Sequence, residues 1–201
     1  TITEMLQRLS STYTQTLKSF ASLITGRDEQ TGGHCERVAL NACIIGKALG
    51  LNDRDIEALY WAGLLHDLGK IALPKDILLK PGALSSEELE LIHKHSRIGS
   101  EIIKEISPEF EQIAQGIAAH HERWDGSGYP LGLKGDEIPV ECRILAIADA
   151  YDAMTNDRPY RSAMSNDKAV AEIARCSGTQ FDPGLVSLFI KVVDEECRDV
   201  P

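Results

Sequence analysis

Apolar residues recur at intervals of three and four through most of the chain, and no long segment alternates polar with apolar. Such a pattern buries one stripe of each segment, so the chain is expected to fold as packed helices and not as a sheet. Stop and start signals divide it. Asn52 or Asp53 can cap a helix through Asp67, Ser85 with Glu88 makes a capping box for a helix containing His95, and Ser107-Pro108 suits the start of one ending near His121. Pro139 can open a helix through Asp149 to about Asn156, and Ser165 and Asp182-Pro183 open two short final helices. Trp124-Asp125-Gly126-Ser127-Gly128-Tyr129-Pro130 has no regular period and reads as a glycine-rich loop. The expected fold is all-α, a helical bundle with one distinctive loop.

At the N-terminus, Ile2, Leu6, Leu9, Tyr13, Thr16, Phe20 and Leu23 form a three-heptad seam with one polar position. It reads either as a long helix packed on its own domain or as a coiled-coil connector, which would favour a parallel homodimer through residues 2–24. Because the first residue is Thr1, residues 1–25 are expected to follow a missing regulatory domain, with residues 26–201 forming the domain that carries the chemistry. A length of 201 residues suffices for a real core.

Two further exclusions come from composition. A formal net charge of −10 argues against broad nucleic-acid binding, DNA included, though a phosphate ligand remains compatible if metals and local cations neutralise it. The five cysteines are odd in number and lack CxxC spacing, so they read as reduced thiols of a cytosolic protein. No apolar run approaches the roughly 20 residues of a membrane span.

The six histidines carry the chemistry: His34, His66, His93, His95, His120 and His121. Imidazole with carboxylate suits Fe, Mn, Zn or Ni. His66 and Asp67 are neighbours, about 100° apart on a helix, so they grip one ion only if the helix ends there. Leu68-Gly69 supplies a turn, and the two oxygens of Asp67 allow it to bridge two ions. Asp149 lies mid-helix among Ile144, Ile147 and Ala148, where an unpaired carboxylate is costly, and a cation explains it. His34 follows Thr31-Gly32-Gly33 near a helix start. His95, His120 and His121 form a second set. His93, two residues from His95, is expected on another face as a solvated residue. One buried site holding two metals is expected.

The strings His66-Asp67-Leu68-Gly69-Lys70, His120-His121-Glu122-Arg123-Trp124-Asp125-Gly126-Ser127-Gly128-Tyr129-Pro130, the run from Arg143 to Thr155 and Arg158-Pro159-Tyr160-Arg161 resemble the HD-GYP family. This is a subgroup of the HD metal-dependent phosphohydrolases, and the match runs from about residue 25 to 185. The resemblance implies an all-α fold, a di- or trinuclear metal centre and hydrolysis of cyclic di-GMP to pGpG, with GMP as a further product. It implies that His34, His66, Asp67 and Asp149 hold one ion, and that Asp67, as bridge, with His95, His120 and His121 holds the other. Ser96 stands where the family often has proline after the histidine. Gln30 stands where trinuclear members carry glutamate, and a neutral amide is a poor cation ligand, so two metals are expected.

Two ions would acidify a bridging water and stabilise the attacking and leaving oxygens of a diester. Lys70 is either a surface lysine at a helix end or a cation for a nonbridging phosphate oxygen, and the resemblance favours the second. Arg158 and Arg161 suit bidentate phosphate or guanine contact. Asp152 is open to three roles: receiving a guanine edge, fixing an arginine or capping a helix. In Gly128-Tyr129-Pro130 the glycine would permit an unusual turn, and the ring would stack on a base or fill the loop's own small core. The family also suggests an upstream sensor or receiver domain and a docked diguanylate cyclase. A non-hydrolysing sensor, or a phosphodiesterase for another cyclic dinucleotide such as cyclic GMP-AMP, stands as the alternative.

Overall fold

The computed structural model describes residues 33–157 and 162–198, together with a few positions before residue 20. The expectations for Gln30, Arg158 and Arg161, and most of the 2–24 seam, lie outside the described residues. Of the seam, Ile2 is described, and it is 80% exposed.

Helix α1 spans His34–Leu49 and closes on Gly50, whose left-handed φ of 87° turns its N–H back to the Lys47 carbonyl. Asn52, and not Asp53, caps α2 (Asp53–Leu65) by accepting the Asp55 amide at 3.0 Å. A 3₁₀ turn over Leu68–Ala72 and the single-turn α3 (Lys75–Leu78) lead to the longest described helix, α4 (Ser86–Ile106). The Ser85–Glu88 capping box is present at its start. A 3₁₀ turn over Pro108–Phe110 precedes α5 (Glu111–Ala118). α5 stops earlier than the sequence signals imply, so His120 and His121 lie beyond its last turn. After the long loop come α6 (Val140–Thr155), α7 (Asn166–Arg175) and α8 (Pro183–Arg198). The last has 16 residues and is not short, because its apolar face continues over several turns and packs on α1 and α6.

No strand is present among the described residues; one isolated bridge joins Ser177 and Phe181. α1 lies against α2 and α6, and α4 against α5 and the 3₁₀ turn after Asp67. Val38, Leu59, Ile103, Ile117, Ile144, Ile147 and Phe189 fill the space between them. Each large side chain buried this way contributes about 1.5–3 kcal/mol against the chain entropy lost. No described helix is long and apolar enough to cross a membrane.

Candidate metal centre

The bundle brings seven of the expected site residues to one place, five from helix ends and turns and two from helix interiors. His34 is the first residue of α1. His66 caps the end of α2, and Asp67 leaves the helix at φ −92°, ψ 4°, so the two neighbours both turn inward. His95 comes from mid-α4, His120 and His121 from the turn after α5, and Asp149 from α6.

Ligand atoms of His34, His66 and Asp149 lie within 4.8 Å of one another, and so do those of His95, His120 and His121. Asp67 lies between the two groups. Its Oδ2 is 3.4 Å from His66 Nε2, and its Oδ1 is 3.6 Å from His95 Nε2. Lys70 donates to the same Oδ2 at 2.9 Å.

Second partners orient the rings. His66, His95 and His120 each hold a backbone carbonyl through Nδ1, those of Gly63, Ile92 and Ile117, all at 2.7 Å. A carbonyl only accepts, so each Nδ1 carries the proton and each Nε2 is a bare lone pair. The Nε2 atoms of His95 and His120 face each other at 3.4 Å, two acceptors with no proton between them. A cation is the partner that satisfies both, and the donor set fits divalent metal.

Electrostatics separates the halves. Burial opposes charge on His34, yet hydrogen bonds to Asp149 and Asp152 outweigh it and raise its pKa to about 9. Burial also works against the Asp67 and Asp149 carboxylates, but Lys70 and the histidines hold Asp67, and His34 and His66 hold Asp149, well below the usual range. In the other half, burial and neighbouring histidines keep His120 well below its ordinary value, and His121 falls to about 4. His95 is lowered by burial as well. One half is thus rich in charge and the other is neutral imidazole. Cys35 Sγ also lies near His66 and Asp67, and burial pushes its thiol pKa far up.

Asp152 is turned into the bundle. It is 1% exposed, accepts from His34 Nδ1 at 2.6 Å and from Arg37 Nε at 2.6 Å, and takes a further bond from Asn156. Of its open roles, fixing an arginine is the one realised, and it orients His34 at the same time. The reason is register: Asp152 lies one turn beyond Asp149 on the inner face of α6, directly over the start of α1.

Gly128 does not occupy the left-handed region; it is needed because a Cβ there would meet Glu122 Cα at 2.6 Å. Likewise a Cβ on Gly69 would run into the His95 carbonyl and come within 2.6 Å of Gly99 N, so the turn after Asp67 crosses α4 backbone against backbone. Tyr129, expected on a base or in a small core of the loop, stacks on His93, with centroids 3.7 Å apart and planes at 14°. Its peptide to Pro130 is cis. His93 is therefore no solvated bystander; it is half-buried, with the loop's tyrosine lying over its ring.

Three contributors escaped the sequence reading: His93, Arg37 and Glu122. Arg37 carried a signal, since it lies three residues after His34 on the same helical face. Glu122 is 3% exposed and accepts the amides of Leu131, Gly132 and Leu133 at 2.6–3.2 Å. Its partners lie nine to eleven residues downstream in a loop, where no periodicity points to them.

A bundle that gathers five histidines and two aspartates in this way defines a helical domain that binds divalent metal. The chain belongs to the HD domain family, whose model matches residues 18–185. It is 41% identical over 178 residues to the cyclic di-GMP phosphodiesterase response regulator RpfG of Xanthomonas campestris pv. campestris, covering 88% of this chain and 47% of that one. It is 38% identical over 188 residues to the 3'3'-cGAMP-specific phosphodiesterase 2 of Vibrio cholerae, covering 93% and 36%. Among solved structures, a cyclic GMP-AMP-specific phosphodiesterase of V. cholerae (V-cGAP3) superposes with a TM-score of 0.68 at 26% identity, covering 89% of this chain and 48% of that one. The chain spans less than half the length of these relatives.

Proposed function

We propose that this domain hydrolyses cyclic di-GMP to linear pGpG, and onward to GMP, at a centre of two divalent ions. The observation that carries it is the position of Asp67, one oxygen toward each of two converging donor groups. His34, His66, Asp67 and Asp149 would hold one ion, and Asp67, His95, His120 and His121 the other, with Fe or Mn favoured and Ni or Zn compatible with the same donors. Bound there, such ions supply charge neutralisation for the phosphate and acidify water.

The chain's own groups do the rest. Lys70 sets an ammonium at the edge of the centre, within reach of a nonbridging phosphate oxygen, and so stabilises charge that grows in the transition state. Arg158 and Arg161 would supply further phosphate or guanine contacts. Asp152 and the helix carbonyls keep the imidazoles of His34, His66, His95 and His120 in the tautomer that leaves Nε2 free for an ion. In the full-length protein, an upstream sensor or receiver domain would gate the site in the cytoplasm, a dimer through residues 2–24 would transmit the signal, and a diguanylate cyclase would be a docking partner. Similarity to the V. cholerae enzymes favours one second reading, hydrolysis of 3'3'-cyclic GMP-AMP by the same machinery.

Protein loaded with Mn or Fe(II) and incubated with each dinucleotide decides between these, with products followed by chromatography. pGpG from cyclic di-GMP is the expected product. Faster turnover of cyclic GMP-AMP moves the assignment to the second reading. Binding without product, in protein that holds both ions, removes hydrolysis and leaves a sensor.

A further inference from the structure

Four of the five ligand histidines are held by a hydrogen bond from Nδ1: His34 to Asp152, and His66, His95 and His120 to helix carbonyls. His121 has no such bond among the described residues. What touches its ring are other rings: His120 at 4.0 Å, His95 at 5.1 Å and Tyr129 at 4.8 Å, the last tilted by 31°. Tyr129 in turn lies flat on His93. His93 thus covers one face of the tyrosine, and His121 meets the same ring at a tilt.

The pile His93–Tyr129–His121 is anchored at both ends. His93 rides on α4, the helix that also carries His95. Tyr129 is tied to the ligand turn by its own amide, which donates to the His121 carbonyl at 3.3 Å. The Glu122 carboxylate gathers the three amides that follow Pro130. An imidazole without a hydrogen-bonded second partner rotates about its side-chain torsions unless packing stops it. Here packing is what stops it.

We propose that His93 and Tyr129 are positioning residues for His121, a ring clamp replacing the hydrogen bond that orients the other ligands. The Gly-Tyr-Pro loop is then part of the second metal position. This rests on the two-ion reading above, and its consequence concerns metal affinity, so it is testable without substrate.

The test is calorimetric titration of metal-free protein with Co(II), with the visible d–d absorption recorded at each equivalent. Wild type should bind two ions. His93→Ala and Tyr129→Leu should keep the first and bind the second about tenfold more weakly, with an altered spectrum for that equivalent alone. His93→Phe and Tyr129→Phe retain flat rings and should restore wild-type binding. Circular dichroism reports whether each variant is folded. The clamp is overturned if folded Tyr129→Leu binds both ions as wild type does, if both ions weaken equally, if the phenylalanine variants fail to rescue, or if wild type holds a single ion. Absence of cyclic dinucleotide turnover would sink the proposed reaction and leave this result untouched.

Discussion

Lys70 reaches back to Asp67 at 2.9 Å, one helical turn away, and pairs with the oxygen that also faces His66. The carboxylate shared by the two donor groups is therefore kept ionised by a residue that is not itself a ligand. Removing either member should have different results. Asp67→Ala takes an oxygen from both groups, so metal content should fall below two per chain, and turnover with it. Lys70→Ala should keep both ions and lower kcat by about 10²-fold, the usual effect of losing one well-placed charge-stabilising group. Elemental analysis beside a turnover assay separates the two; full metal content in Asp67→Ala would refute its sharing.

Asp152 is a lever on the first ion only. Asp152→Asn keeps the shape but weakens the hold on His34, and the expected result is roughly 10–100-fold weaker binding of one ion, the other unchanged. Arg37→Ala should follow in the same direction with a smaller change, since it acts through Asp152. Equal weakening of both ions in calorimetry would contradict the division of the site.

Proton linkage makes the metal-free protein sensitive to pH in both directions. His34 is raised from 6.5 to about 9, so its contribution to stability is complete below about 6.5 and is lost as pH climbs through 9. His121 is depressed to about 4, so its contribution is complete above about 6.5 and is lost as pH falls toward 4. His120 acts in the same sense as His121. Urea midpoints of metal-free protein should peak near pH 6.5 and decline on both sides. Loading at pH 7.5 must also displace the His34 proton, and calorimetry in two buffers of different ionisation enthalpy should register its release. A midpoint rising from pH 7 to 9 would sink the His34 part.

Glu122→Ala leaves three loop amides without their acceptor and should cost about 2 kcal/mol in urea unfolding, with faster hydrogen exchange at residues 131–133. Glu122→Gln keeps one carbonyl oxygen and should lose less. Unchanged exchange in Glu122→Ala would mean the loop holds itself.

The fold was legible where local chemistry is self-contained. The Ser85–Glu88 box and the Asn52 cap each span only four residues, and the apolar stripes of α1, α2 and α4 announce themselves by period. The convergence of His66 and Asp67 was legible because adjacent residues converge only at a helix end. His93 was not, because its partner is 36 residues away in a loop without periodicity, and spacing along α4 says only where it does not point. Asp152 was half legible: the shared face with Asp149 was visible, but not that α1 would close over it and turn a candidate for substrate contact into a support for His34.

Where the turn after Asp67 crosses α4, Gly69 and Gly99 put peptide against peptide with no side chain between them. The gap between the two halves of the site is thus gauged by main-chain dimensions, which no substitution lengthens or shortens by small steps. Diversification has room to act on the outer supports, at Asp152, the helix carbonyls or the ring clamp, and so on affinity and choice of metal. The distance between the turn that carries Asp67 and the helix that carries His95 is fixed by the main chain itself.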